Sequence, residues 1–393
     1  MSPQNTQHQF GGRQHFLDWL RVIAFSYLVF YHSGLMFVDW SFHIESGHNY
    51  EILKPILMLT SNWRLDLLFL VSGVAISFMM TKFTIGDFLK QRMVKLFIPC
   101  TFAIAVVVAP QAYYEALFKG FIEPGMWQFW TTQYFSFTWL DGMAAPFPTY
   151  NHMWYVVYLF MYTIVLAPLF VLINTDKGQN ILKSFENWLT KGARVLWAPY
   201  IFYLSVFFYT GHNDVTHALV DDWFGHFIFL YILIMGVLFV RMPKCWQAFE
   251  DIRYISLLVA LTSYGMMLIK FYTDLLAVVD WNLLEMIIKW SWVATLIGFG
   301  RHYLNHTNEF LRYANSVVYP FFILHQTVII IIGYYIVDWG LIGTLELFAI
   351  IVGTFIVCLA LIELLIKRSN ILRILFGLKT INKEPELIHN SSS

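Results

Sequence analysis

The chain has 393 residues, of which 58% are hydrophobic, 19% aromatic and only 13% charged, with a mean hydropathy of +0.59. That balance excludes an ordinary soluble domain and fits a polytopic membrane protein. Lys plus Arg equal Asp plus Glu at 25 each, so no basic excess recommends a nucleic-acid partner.

Residues 1–15 are polar and offer no small-residue cleavage site ahead of the first apolar run, so that run, 16–38, is expected to stay as a membrane helix. Further apolar runs of spanning character cover 55–81, 96–118, 153–173, 195–210, 223–240, 254–272, 284–299, 316–337 and 341–366. The expectation is an all-α bundle of about ten transmembrane helices. The connecting segments test the count. Lys82, Lys90, Arg92 and Lys95 follow the second run, Lys177, Lys183, Lys191 and Arg194 the fourth, and Arg241, Lys244 and Arg253 the sixth. Arg301, Arg312 and the tail cations Lys367, Arg368, Arg373, Lys379 and Lys383 continue the alternation, while the other loops are acidic. By the positive-inside rule both termini are cytoplasmic. The division is a polar N-terminus (1–15), one membrane domain (16–366) and a basic to polar tail (367–393).

Within the first run Arg21 and His32 lie eleven residues apart. At about 100° per residue they fall on one helical face, separated by roughly 16 Å along the axis. Asp18 joins that face three residues before Arg21, placed for an ion pair that lowers the cost of burying either charge. A structural salt bridge plus a core histidine would explain the trio blandly. The functional reading is favoured because intramembrane ionisable groups usually mark a cavity, a proton path or a catalytic site. The second run holds Asn62, Arg64 and Asp66 at a depth that matches His32, and Ser72-Gly73, which suits close helix approach. Arg64 and Asp66 are two residues apart, so each needs a partner elsewhere.

His152 and Trp154 open the fourth run, where an aromatic ring serves as an interface anchor or a sugar platform. His325, with Gln326 and upstream Tyr319, sits inside the ninth run and is a better buried-site candidate than the loop histidines His43, His48, His212 and His217, which are expected to be solvated. Their spacing offers no metal site. Cys100, Cys245 and Cys358 are too scattered for a disulfide framework or a zinc site.

These residues resemble the acyltransferase 3 family of integral membrane acyltransferases, in wording close to the glucan biosynthesis protein C subgroup. The resemblance rests on Phe16-Leu-Asp-Trp-Leu-Arg21 with ten residues before His32, on Leu68-Phe-Leu-Val-Ser-Gly73, on Arg92-Met-Val-Lys95, on His152-Met-Trp154 and on the segment from Tyr319 to His325. One departure is Lys95, where the family often has a second arginine; lysine keeps the charge but loses the bidentate fork.

The resemblance implies transfer of an acetyl or succinyl group from cytoplasmic acyl-CoA to a hydroxyl of an extracytoplasmic glycan, in a bacterial cytoplasmic (inner) membrane. His32, toward the outer half, would be the general base, and Arg21, toward the cytoplasmic half of the same face, a further catalytic residue and a possible addition to the phosphate-binding cations. Arg64 would stabilise an oxyanion or bind a succinyl carboxylate, and Asp66 would orient a histidine. Arg92, Lys95 and Lys90 would hold the coenzyme phosphates, although positive-inside anchoring explains them as well. His152, Trp154, His325 and Tyr319 would line the acceptor site. No metal is called for. Direct transfer competes with an acyl-histidine intermediate. The alternative class is a secondary transporter with a buried Arg/Asp/His site, which typically shows inverted repeats with matching broken helices; no such pair is read here.

Overall fold

The computed structural model describes residues 14–143, 146–210, 215–337 and 339–381. The N-terminal residues 1–13, the end of the tail, and the positions of His212, Asp214 and Asp338 lie outside them. Among the described residues the regular structure is entirely helical.

Each of the ten apolar runs is helical. In chain order they form α1 (His15–Leu35), α2 (Leu53–Met80), α3 (Ile85–Phe118), α4 (Asn151–Val165) with its continuation α5 (Ala167–Ile173), then, after the amphipathic α6 (Asp176–Leu189), α7 (Arg194–Thr210) and α8 (Trp223–Phe239). A short α9 (Lys244–Asp251) precedes α10 (Arg253–Tyr272), α11 (Trp281–Leu304), α12 (Glu309–Ile336) and α13 (Gly343–Leu364). By length and composition six of these helices can cross a membrane, or up to eight when the bent pairs α4–α5 and α8–α9 each count as one span. The two runs that do not reach that standard have identifiable reasons. Asp18, Arg21, His32 and Ser33 dilute the apolar character of α1, and α7 has 17 residues, short of the roughly 20 a bilayer core requires.

Proline and glycine shape the bundle. Pro168 enters at the start of α5, where the chain bends by 46°, as expected when an N–H is missing from the helical ladder. In α3, Pro99 and Pro110 each follow a π turn, Met93–Phe97 and Ala103–Val107. The amides of Ile98 and Val108 there reach back five residues, to Met93 and Ala103. The Ser72-Gly73 expectation of close approach is met: a Cβ on Gly73 would come within 2.1 Å of the Leu233 carbonyl, and one on Gly236 within 2.1 Å of the Leu70 carbonyl. The α2 and α8 backbones therefore touch, with Phe69 stacked on Phe229 at 4.7 Å between ring centres.

The two ends of the bundle are distinct. One, the amino-terminal face, gathers the start of α1, the Arg301–Glu250 pair at 3.0 Å and the tail, whose Gly377 carbonyl accepts from Lys95 at 3.1 Å. The opposite face carries Lys54 paired with Asp39 and Glu51, both at 2.7 Å, and His43 bonded to Glu115.

Candidate active site

The functional candidates are delivered by helices that cannot leave their polar groups to lipid. Without water in the hydrocarbon layer, a buried donor or acceptor must find a protein partner or remain costly. Three histidines from three helices converge: the ring of His325 on α12 lies 5.5 Å from that of His32 on α1 and 5.2 Å from that of His152 on α4. Arg64 on α2, 4% exposed, lies within electrostatic reach of His32 and His325. Its guanidinium rests on the Tyr31 ring at 3.8 Å while Nε and Nη1 stay unpartnered. A planar cation on an aromatic face is an economical way to keep a buried arginine poised without neutralising it.

The imidazoles differ in satisfaction. His152 donates from Nε2 to the Ile323 carbonyl at 3.2 Å and accepts at Nδ1 from the Gln111 amide, also at 3.2 Å. Gln111 is itself tied to Thr327 at 2.7 Å and Asn151 at 3.1 Å. His325 donates from Nδ1 to the Phe322 carbonyl at 2.6 Å, leaving Nε2 buried and unpartnered. Nδ1 of His32 is also buried and unpartnered, and His32 as a residue is half-buried where His152 and His325 are buried, at 7% and 1% exposure. Phe42 stacks on its ring at 6.0 Å.

Phe42 and His43 also line a half-open cavity of about 170 Å³ with Glu115, Met143, Phe147 and Asn151. His43 bonds Glu115 on one nitrogen and accepts from Gln326 at 3.0 Å on the other, while Lys119 closes on Glu115 at 2.6 Å.

Toward the amino-terminal face the polar groups continue. Arg21 pairs with Asp18 at 3.0 Å, as the spacing predicts, and also donates to Asn315 at 2.5 Å. Arg92 is buried, its polar contact being the Met79 sulfur at 2.9 Å and its ring contact Phe88 at 5.0 Å. Its Nε and the Tyr319 hydroxyl are unpartnered, and the two residues are within electrostatic reach of each other. Tyr155 stands between the levels, bonded to Ser72 at 2.6 Å and packed against Phe25 and Phe322.

Residues 14–363 match the family model described as an acyltransferase domain, Acyl_transf_3. The chain belongs to this acyltransferase family. No curated protein and no solved structure matches it. Membership across nearly the whole chain makes this a membrane acyltransferase, consistent with its apolar helices.

The acyltransferase's sequence candidates sort accordingly. His32, His152, His325 and Arg64 are brought together, and Arg92 is brought near Tyr319. Asp66 is not brought to the imidazoles: it accepts from Tyr203 at 2.8 Å and faces Lys289, so the expectation that it orients a histidine is not met by its contacts. Trp154 is buried rather than at a lipid interface, with the His217 ring 4.0 Å away. His217 is accordingly not solvated, and burial pulls its imidazole down to about 4. His43, too, is engaged rather than free, whereas His48 is exposed as expected. Lys90 is exposed, whereas Arg92 is buried.

Sequence reasoning passed over Gln111, Thr327 and Tyr155, whose uncharged side chains give no local signal. It also passed over the Glu285–Lys289 pair in α11, at 2.8 Å. Two opposite charges four residues apart inside an apolar run would have revealed that pair. Among the described residues no three or more His, Cys, Asp or Glu side chains form a metal-binding group.

Proposed function

We propose that this acyltransferase moves an acetyl or succinyl group from acyl-CoA, entering at the amino-terminal face, to a hydroxyl of a glycan entering at the opposite face. The amino-terminal face is taken as cytoplasmic, on the alternation of basic and acidic loops over ten spans. A bacterial cytoplasmic membrane is the compartment this reading implies.

The observation that carries the proposal is the setting of His32: a half-buried imidazole grouped with two buried ones and a buried arginine, one aromatic ring away from a cavity on the opposite face. A sugar hydroxyl becomes a competent nucleophile only as a base removes its proton, and neutral imidazole suits that task. In direct transfer the hydroxyl oxygen bonds the thioester carbonyl carbon, His32 takes the hydroxyl proton, and the C–S bond breaks as that proton passes to the leaving sulfur. Arg64 supplies charge where the carbonyl oxygen becomes negative, or meets the carboxylate of a succinyl group. The coenzyme phosphates are assigned to Arg92, whose thioether and ring contacts leave much of its hydrogen-bonding capacity unused, with Arg21 and Lys95 nearby and Lys90 as an outer cation. His152 and Trp154 shape the wall of the acceptor side, and Tyr319 the donor channel.

The test uses purified protein in lipid nanodiscs with radiolabelled acetyl-CoA or succinyl-CoA and an envelope glycan extract. Label transferred to glycan, lost in His32→Ala, is the expected result. Stable label on His32 in the absence of glycan would replace direct transfer with an acyl-enzyme route. Mass spectrometry of glycans from cells with and without the protein names the acyl group and acceptor.

A further inference from the structure

Three imidazoles meet in one place, and their hydrogen bonds make them chemically unequal. A carbonyl oxygen only accepts, so the Phe322 carbonyl fixes the proton of His325 on Nδ1 and the Ile323 carbonyl fixes that of His152 on Nε2. The remaining nitrogen of His152 already accepts from Gln111. The remaining nitrogen of His325, Nε2, has a lone pair, no partner and almost no exposure, since the residue is 1% accessible. Nδ1 of His32 is the other buried imidazole nitrogen of this group without a partner, on a ring whose centre is 5.5 Å from that of His325.

We propose that His325 is the positioning residue for His32: its Nε2 accepts the Nδ1 proton of His32 as the substrates close the site, leaving Nε2 of His32 bare to take the acceptor's proton. This rests on the reading of His32 as the base. A proton held on one imidazole nitrogen directs the lone pair to the other, as a carboxylate does in hydrolase triads. Here the orienting group is a neutral ring. The surroundings explain the choice. Arg64, the nearest fixed charge, already provides a cation within electrostatic reach of His32; the other groups facing it are His152 and, from the loop after α1, His43. A neutral acceptor orients His32 without forming a buried ion pair with Arg64 that would compete with substrate. The Phe322 carbonyl makes this acceptor permanent, because it pins the His325 proton away from His32.

His152 lacks this capacity. Both of its nitrogens are committed, so it packs beside the pair and holds the wall between α4 and α12.

The experiment compares His325→Phe, which keeps ring bulk but has no acceptor, with His325→Gln, whose amide oxygen restores one. Acyl transfer from labelled acetyl-CoA or succinyl-CoA to envelope glycan is followed, with nitrogen-15 NMR of histidine-labelled protein as a readout independent of turnover. Expected for His325→Phe is a loss of about 100-fold in kcat, within the usual range for acid–base assistance, with KM for acyl-CoA changed less than about twofold. His325→Gln should recover at least about tenfold of that loss, and combining His325→Phe with His32→Ala should add nothing to His32→Ala alone, as for residues that act as a unit. In protein saturated with an unreactive thioether analogue of acyl-CoA and with glycan, the His32 ring should be a single Nδ1-protonated tautomer in the wild type and a mixture in His325→Phe. Unchanged His32 tautomer, or kcat equal to wild type in folded His325→Phe, overturns the proposal. Activity surviving in His32→Ala overturns instead the assignment of the base, so the two failures are told apart.

Discussion

Two clusters of ionisable side chains lie buried on either side of α2, and they are built on opposite principles. On one side Asp66 accepts from Tyr203 at 2.8 Å and faces Lys289, which pairs with Glu285 at 2.8 Å. Every charge there has a partner. On the other side Arg64, His32 and His325 keep buried nitrogens without partners. Both clusters are expensive to bury, but only the second retains bonding capacity that a reacting molecule can use. Satisfaction, more than charge or depth, separates a structural cluster from a chemical one.

Substitutions sharpen that contrast. The largest effect should follow His32→Ala, which removes the proposed base: acyl transfer falls by about 10²–10⁴-fold with thermal stability near that of the wild type, measured by label transfer and by melting in detergent. Arg64→Gln comes next, with kcat down by about 10²–10³-fold; if Arg64 reads a succinyl carboxylate, KM for succinyl-CoA rises while that for acetyl-CoA stays level. In the satisfied cluster the pattern should invert. Tyr203→Phe strands one oxygen of Asp66 and should cost about 1–3 kcal/mol of stability, seen as a lower melting temperature, with kcat of the folded fraction unchanged. The smallest effect belongs to Lys119→Ala at the cavity rim, which removes one partner of a half-buried i,i+4 pair whose Glu115 keeps its bond to His43; the loss should be about 1 kcal/mol or less, read as a small drop in melting temperature. Equal catalytic losses from Tyr203→Phe and Arg64→Gln would erase the distinction between the two sides.

Much of this contrast was legible in the sequence, and the illegible part has a common cause. The helical runs, the Asp18–Arg21 pair and the Ser72-Gly73 crossing follow from local periodicity and side-chain size, which one segment reveals by itself. His32 and Arg64 stood out because a charge or imidazole in an apolar run is conspicuous. What could not be read was pairing at long range. The sequence offers Asp66 as a partner for a histidine, but Tyr203, 137 residues away, bonds it instead. His43 looked like a solvated loop residue, but Glu115 and Gln326 meet it from α3 and α12. Trp154 resembled an interface anchor because its position at a helix start is visible, whereas the His217 ring that covers it comes from a distant loop.

The glycine crossing of α2 and α8 has a mechanical corollary. With carbonyl oxygens 2.1 Å from where a methyl group would sit on either partner, this seam leaves no clearance for one helix to ride over side chains of the other, so the two behave as a single rail. Arg64 is mounted on that rail. Carriers that expose one site alternately to each side do so by rocking one bundle half against the other, whereas here the helix that holds the central cation is clamped to its neighbour along this seam.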